Sequence, residues 1–419
     1  MVVGADGVQT GAASNRRIAI IGAGGAGACA ALELADRGHE VVVFERREQA
    51  LRQASFANEG KIHLGLIYAK DGRMRTAAWM IEGALQFEER LQRWIPFRAA
   101  DVVSTPFYYC VHRGSLMSPD ELAKHYERCG DIFRQRADET GRDYLGLGAG
   151  FEIERLSDRQ AEAIADPRYV SAVFRTTEYA VDPRLVAAML RRALADAPRV
   201  EVHLGHRVRG VEDVRGGWRL EIEHGGDVFH ETFSDVVNAA WFERLPLDRP
   251  LGIVPPGEWS HRYKFGNRVA VSLNPDELPS CTMVQGPYGD VVNFVEHGMF
   301  LSWYPIGRTG MSSAEVPPAW HDAYSEAERY DVFERSHAEL AKRCVPLRNV
   351  KIQREQVDPY GGVIYALGTT DVDDDHSELH NRYEIGIQSR GSYHTVDTGK
   401  YTLVPYWGVK IADRVERLA

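Results

Sequence analysis

An α/β fold is predicted, with a Rossmann-like dinucleotide-binding domain and a second, mainly antiparallel β-sheet domain. Three observations carry it. An apolar run rich in β-branched residues meets a glycine turn and a helix near the start of the chain. Short strands separated by turns fill the region after Arg199, and the strands beyond Phe242 are longer and more aromatic.

Arg17 to Ile21 is mainly apolar without alternation, as a strand buried on both faces should be. It stops at Gly22-Ala23-Gly24-Gly25-Ala26-Gly27, a phosphate-binding candidate. Gly22 permits the tight turn, Gly24 lets a pyrophosphate approach without meeting a Cβ, and Gly27 lets the next helix lie close to the strand. That helix, about Ala26 to Arg37, offers free N–H groups and a partial positive charge at its start. Gly38 is its stop signal. Glu40 to Phe44 reads as a second strand, ending in Glu45 and Arg46. An acid about twenty residues past the glycines accepts hydrogen bonds from the ribose hydroxyls of an adenine dinucleotide.

The stretch after Arg46 has no helical or strand period through its middle and reads as a loop or short helix. Within it, Ala54-Ser55-Phe56-Ala57-Asn58-Glu59-Gly60 resembles the A-S-x-x-N-x-G segment of the D-amino-acid oxidase and glycine oxidase-like superfamily of FAD-dependent oxidoreductases. The resemblance implies FAD as cofactor, with Ser55, Asn58 and Gly60 passing the pyrophosphate and the flavin ring. The continuation Lys61-Ile62-His63-Leu64-Gly65-Leu66-Ile67-Tyr68 is similar to the N-x-G-x-I-H-x-G-x-x-Y run of the 2-hydroxy-acid dehydrogenase branch, typified by L-2-hydroxyglutarate dehydrogenase.

Arg73 to Ile95 carries apolar residues at helical spacing and predicts one amphipathic helix. Val102 to Val111 reads as a strand. Ser118-Pro119-Asp120-Glu121 is a capping-box pattern that starts a helix reaching about Thr140. Asp182-Pro183 opens another helix, and five short strands follow to Ala240. The resemblance makes these the second part of the FAD domain, with the backbone near Val208 meeting the adenine and Ala239 ending the last strand. Where the family has Ala-Ala-Gly or Ala-Thr-Gly, this chain has Ala239-Ala240-Trp241.

Asp290 to Phe294 and Met299 to Tyr304 form a hairpin about Glu296-His297-Gly298 in the substrate domain's sheet. Asp322 to Arg343 reads as a covering helix, and Gly362 to Leu367 and Tyr383 to Gln388 as strands. A glycine-containing turn from Val396 runs into a last helix. By resemblance this turn, with Lys400, Tyr401 and Thr402, lies against the flavin's pyrimidine end. The domains expected are a flexible tail (1–15), a discontinuous FAD-binding domain (16–100, 176–242 and 350–419) and a substrate-binding domain (101–175 and 243–349).

An oxidoreductase of this type needs a substrate C–H aimed at the flavin N5, a holder for the substrate's anion and, for some substrates, a base. His63 suits the base, since imidazole titrates near neutrality; in some relatives such a histidine is the site of a covalent bond to the flavin. Lys400 suits stabilisation of negative charge on the reduced ring. Arg262, Arg308 and Arg390 are the candidate carboxylate clamps, because guanidinium pairs with carboxylate through two parallel hydrogen bonds. Tyr263 and Tyr304 lie on the presumed substrate sheet. Asp373-Asp374-Asp375-His376 reads as a solvated acidic turn, and no metal is expected.

The function expected is oxidation of an amine or amino acid by hydride transfer to FAD, with a carboxylate on the substrate implied by the resemblance. The alternatives are FAD-dependent oxidation of a 2-hydroxy acid, which His63 favours, an NAD-binding dehydrogenase, or a nucleotide-binding protein without redox turnover. Composition narrows the partners. The 419 residues carry a net charge of −10, which gives no basic field for nucleic acid. The five cysteines lack zinc spacing, which fits a cytoplasmic protein, and no apolar run is long enough to span a membrane.

Overall fold

The computed structural model describes residues 16–417 apart from Ala149, Ser272 and Pro287; the expected flexible tail lies outside the described residues. Strand β1 (Arg17–Ile21), helix α1 (Gly25–Asp36) and strand β2 (Glu40–Glu45) follow the predicted order. The two strands lie in a six-stranded sheet with β1 and β2 between Asp235–Asn238 and Val200–Leu204. The first four pairings outward from β1 are parallel; only the edge strand Gly386–Arg390 runs antiparallel, to Tyr393–Asp397.

The unbroken apolar run of β1 is explained by what covers each face. Ile18 and Ile20 pack with Ala28, Ala31 and Leu34 of α1. Ala19 and Ile21 pack instead with Trp218, Leu220 and Ile222. Those three belong to an antiparallel meander of Arg207–Val214, Gly217–His224 and Asp227–Phe233, so both faces of β1 are dry.

A nine-stranded sheet forms the second layer system. Its pairings are antiparallel except that of Phe107–His112 with Ser280–Val284. The expected hairpin is present as Gly289–Asn293 and Met299–Trp303, with Gly298 at φ 90° in its turn. Helix Glu326–Arg343 packs on this sheet after a Ser325–Glu328 capping box. Helix Pro119–Thr140 has the predicted box at Ser118 and Glu121.

Three expectations need correction. Strand Val357–Leu367, expected with the FAD-binding part, pairs along its whole length with Trp259–Val269 and so belongs to the larger sheet. Arg73 to Ile95 is two helices, Arg75–Ala84 and Phe87–Leu91. The first ends where Gly83 is pressed by the C-terminal turn: a Cβ there would stand 2.5 Å from a Leu403 methyl. The strand expected over 383–388 is displaced to Gly386–Arg390, since register with Tyr393–Asp397 rather than alternation sets it. No helix among the described residues is long and apolar enough to cross a membrane.

Candidate active site

A cavity of about 570 Å³ begins at the end of β1 and runs between the two large sheets. Its first wall is backbone. Gly22 has φ 97°, and a Cβ there would stand 2.9 Å from the Ala239 carbonyl oxygen. At Gly27 a Cβ would stand 1.9 Å from the Gly22 carbonyl oxygen, so only glycine lets α1 start this close to β1. Gly24 is different: a Cβ would meet only Ser55 Oγ, at 3.7 Å. Its space is open to the cavity. The N-cap of α1 is Gly24, which has no side chain to cap the helix, so apart from the Gly25 N–H, taken by Ser55, the first turn keeps N–H groups able to receive an anion.

Two side chains brace this wall. Glu45 accepts from the Ala23 N–H through Oε2 and from the Arg47 N–H through Oε1, each at 3.0 Å. Ser55 Oγ accepts from the Gly25 N–H at 2.7 Å. Asn58 organises its own loop, donating to the Ala54 carbonyl and accepting from the Gly60 N–H. Val208, Arg46, Arg47 and Arg52 also line the cavity, and Arg46 is paired with Glu243 at 2.6 Å. At the departure from the family pattern, Trp241 has φ 55°. A left-handed backbone, which a glycine adopts without strain, is here carried by a tryptophan, whose Nε1 donates to the Val363 carbonyl at 3.0 Å.

The other end of the cavity is walled by ionisable side chains. Lys61 and His63, two residues apart on extended chain, are both buried. Lys61 Nζ lies 2.9 Å from Asp290 Oδ1, and Lys264 Nζ 3.8 Å from Oδ2. Burial works against the charge on Lys61, but Asp290, Glu178 and Glu59 outweigh it and raise its pKa. Burial likewise works to raise the Glu59 carboxyl, yet Lys264, Lys400 and Lys61 hold it below the ordinary range. His63 is pushed down by burial, with Glu178 opposing. Lys400 is pulled down to about 8, mainly by burial.

Arg262 is buried beside the same space. Its Nη2 donates to the Thr370 carbonyl at 2.7 Å, while Nε and Nη1 have no hydrogen-bond partner. Asp371 Oδ1 is 3.6 Å from Nε and accepts instead from the Tyr304 hydroxyl at 2.7 Å. Arg382 also lines the cavity and donates to the Tyr365 carbonyl at 3.1 Å.

The expected residues divide accordingly. Gly22, Gly24, Gly25, Ala26, Glu45, Arg46, Ser55, Asn58, Val208, Ala239, Lys400 and Tyr401 line one cavity with His63, Arg262 and Tyr304. Gly60 and Thr402 lie behind the wall. Gly60 turns at φ 70° against Val181, and Thr402 Oγ1 accepts from the His63 N–H and donates to the Lys61 carbonyl. Three assignments are corrected. Arg308 does not line the cavity; its Nε lies 2.7 Å from Asp371 Oδ2 and helps fix that carboxylate. Tyr263 is core, fully buried and stacked on Tyr324 at 5.8 Å. Arg390 sits on the exposed edge strand and donates to the Leu251 carbonyl.

Comparison with known proteins matches residues 17–256, more than half of the chain, to the family described as FAD dependent oxidoreductase. The chain belongs to this family. The flavoprotein is 28% identical over 157 residues to D-amino acid dehydrogenase of Granulibacter bethesdensis, a match spanning 36% of this chain and 37% of that protein. Among solved structures it is similar to glycine oxidase from Geobacillus kaustophilus, with a TM-score of 0.66 at 17% identity over 96% of this chain and 95% of the other. It is also similar to L-α-glycerophosphate oxidase from Mycoplasma pneumoniae with FAD bound, with a TM-score of 0.61 at 13% identity over 97% and 94%.

The residues present fit FAD. The open Gly24 backbone and the start of α1, where the N-cap residue is a glycine, suit a diphosphate, and Glu45 suits a ribose. Lys400 and His63, at the other end of the cavity, would then stand nearer the ring than the diphosphate. FAD supplies the two-electron acceptor for the substrate's carbon. The residues missed in the sequence are Lys61, Lys264, Glu59, Glu178, Asp290 and Arg382. A signal existed for Lys61, which shares a strand face with His63; Arg382 stands in an aperiodic stretch that offers none.

Proposed function

We infer that this flavoprotein oxidises a small amino acid or amine at its C–N bond, with a carboxylate on the substrate held by Arg262 and Arg382. The observation that carries the reading is Arg262. It is a buried guanidinium on the cavity wall whose Nε and Nη1 lack hydrogen-bond partners and whose carboxylate neighbour, Asp371, stands 3.6 Å away and is tied to Tyr304 and Arg308, which leaves it able to pair with an anion in the cavity. Tyr304, fixed by Asp371, stands beside it as a further polar contact. His63, kept neutral by burial, takes the proton from the substrate nitrogen. Lys400 balances negative charge accumulating at the redox end. The D-amino acid dehydrogenase relative supports an amino acid as the substrate class.

A second reading, oxidation of a 2-hydroxy acid, is favoured by His63 standing against the Glu178 carboxylate, because an alcohol needs a base to take its proton as hydride leaves more than a neutral amine does. Anaerobic mixing of the FAD-loaded protein with D- and L-amino acids, simple amines and 2-hydroxy acids separates the two. Bleaching of the yellow colour by an amino acid or amine supports the first reading. Bleaching by 2-hydroxy acids alone overturns it.

A further inference from the structure

We propose that Glu178 is the positioning residue for His63: it holds the imidazole with the proton on Nδ1, so that Nε2 faces the cavity as the proton acceptor. This rests on the reading of His63 as the base. The placement begins in the backbone. Lys61–Ile62 pairs antiparallel with Tyr179–Ala180, Lys61 opposite Ala180 and Ile62 opposite Tyr179. One step further in that register brings His63 across from Glu178. The ladder is locked by Tyr144, whose hydroxyl donates to the Ile62 carbonyl at 2.7 Å and accepts from the Tyr179 N–H at 3.0 Å.

Glu178 is fully buried and far from idle. Its Oε2 accepts from the Leu64 N–H at 2.6 Å, and its Oε1 accepts from the Tyr109 hydroxyl. The same Oε1 stands 3.7 Å from His63 Nδ1, which has no hydrogen-bond partner. A buried polar atom without a partner is rare. Here it faces a carboxylate across a gap slightly longer than a hydrogen bond, a distance that tightens in reacting complexes. Burial works to raise the Glu178 carboxyl, but His63, Lys61 and the Tyr109 hydroxyl outweigh it, so it remains ionised. When Nε2 takes the substrate's heteroatom proton, the positive charge on the ring is met by that carboxylate. The other groups facing His63 are Lys400 and Lys61, which oppose its protonation, and the Tyr68 ring, edge-on at 5.6 Å.

The tautomer can be read without substrate. Protein carrying ¹⁵N-labelled histidine is titrated by NMR, and the His63 signals are assigned by their loss in His63→Gln. The Nδ1–H form is expected, with its titration moved to lower pH in Glu178→Gln, because the carboxylate that favours the charged ring is gone. Tyr109→Phe moves it the other way, since Oε1 loses a competing donor and becomes a stronger acceptor for Nδ1. This second variant keeps the test open if Glu178→Gln does not fold. An Nε2–H form in the unaltered protein, or a His63 titration unmoved by either variant, overturns the proposal. The reading of His63 as base fails separately, if His63→Gln reduces its flavin with the best amino acid of the panel at an unchanged rate.

Discussion

Between Ile21 and Ala26 the cavity wall is backbone, drawn from one short stretch of chain; between His63, Arg262, Arg382 and Lys400 it is ionisable side chain, drawn from four distant segments. The first wall recognises by shape and by N–H groups whose position follows from the start of α1. The second recognises by charges that burial would expel unless each met a partner. Substitution should therefore fail differently at the two ends: by exclusion at the first, by a graded loss of rate or affinity at the second.

The largest effect is expected in the cradle, where two glycines can be told apart. Gly24→Val places a branched side chain in open space beside Ser55, so the protein should fold and lose FAD altogether. Gly27→Ala drives a Cβ into the Gly22 carbonyl and should cost about 3 kcal/mol of folding stability. Absorbance of bound FAD and the denaturation midpoint of the FAD-free protein check both. Full FAD content in Gly24→Val would remove the diphosphate from this turn. At the charged end, His63→Ala should leave the fold intact and slow flavin reduction on the order of 100-fold; an unchanged rate in anaerobic stopped flow would take His63 out of the chemistry.

The same contrast explains what was legible in the sequence. The cradle's backbone was readable because β1, its glycines, α1 and Glu45 lie within 29 residues, Arg17 to Glu45, and each obeys a local rule. The capping box at Ser118 and the hairpin about Gly298 were readable for the same reason. Arg390 and Arg308 were chosen by residue type alone, and the structure puts one on an edge strand and the other behind Asp371. Arg382 and Glu178 could not have been singled out, since nothing local distinguishes them: one meets the cavity from a loop between strands, and the other meets His63 through the register of a two-residue ladder. Strand Val357–Leu367 was misplaced because its partner lies about a hundred residues away, a pairing that no local pattern encodes.

Arg262 sharpens the comparison on the affinity side. Arg262→Leu removes the group with free donors but leaves Asp371 held by Tyr304 and Arg308, so folding should survive. The apparent Kd for a carboxylate-bearing substrate should rise roughly 30-fold, about 2 kcal/mol, with a smaller change in the limiting rate of flavin reduction. The same loss with a substrate lacking a carboxylate would place the anion elsewhere.

The smallest effect concerns the cost of the charged wall itself. Lys400 is pulled from 10.5 to about 8 by burial, with Arg382, Lys264 and Lys61 adding to the shift and Glu59 opposing it. The folded protein thus binds this proton less tightly than the unfolded chain. The resulting penalty on folding is full below pH 8, declines as pH rises between 8 and 10.5, and vanishes above that window. Lys400→Met should raise the Tm of the FAD-free protein at pH 7 by roughly 2–4 °C, and its advantage over the unaltered chain should shrink as pH is raised from 8 towards 10. A constant advantage across that range would mean that Met packs better and that the lysine's charge costs nothing. A shrinking one would mean that the charge of the second wall, unlike the glycine cradle, is held at the expense of stability.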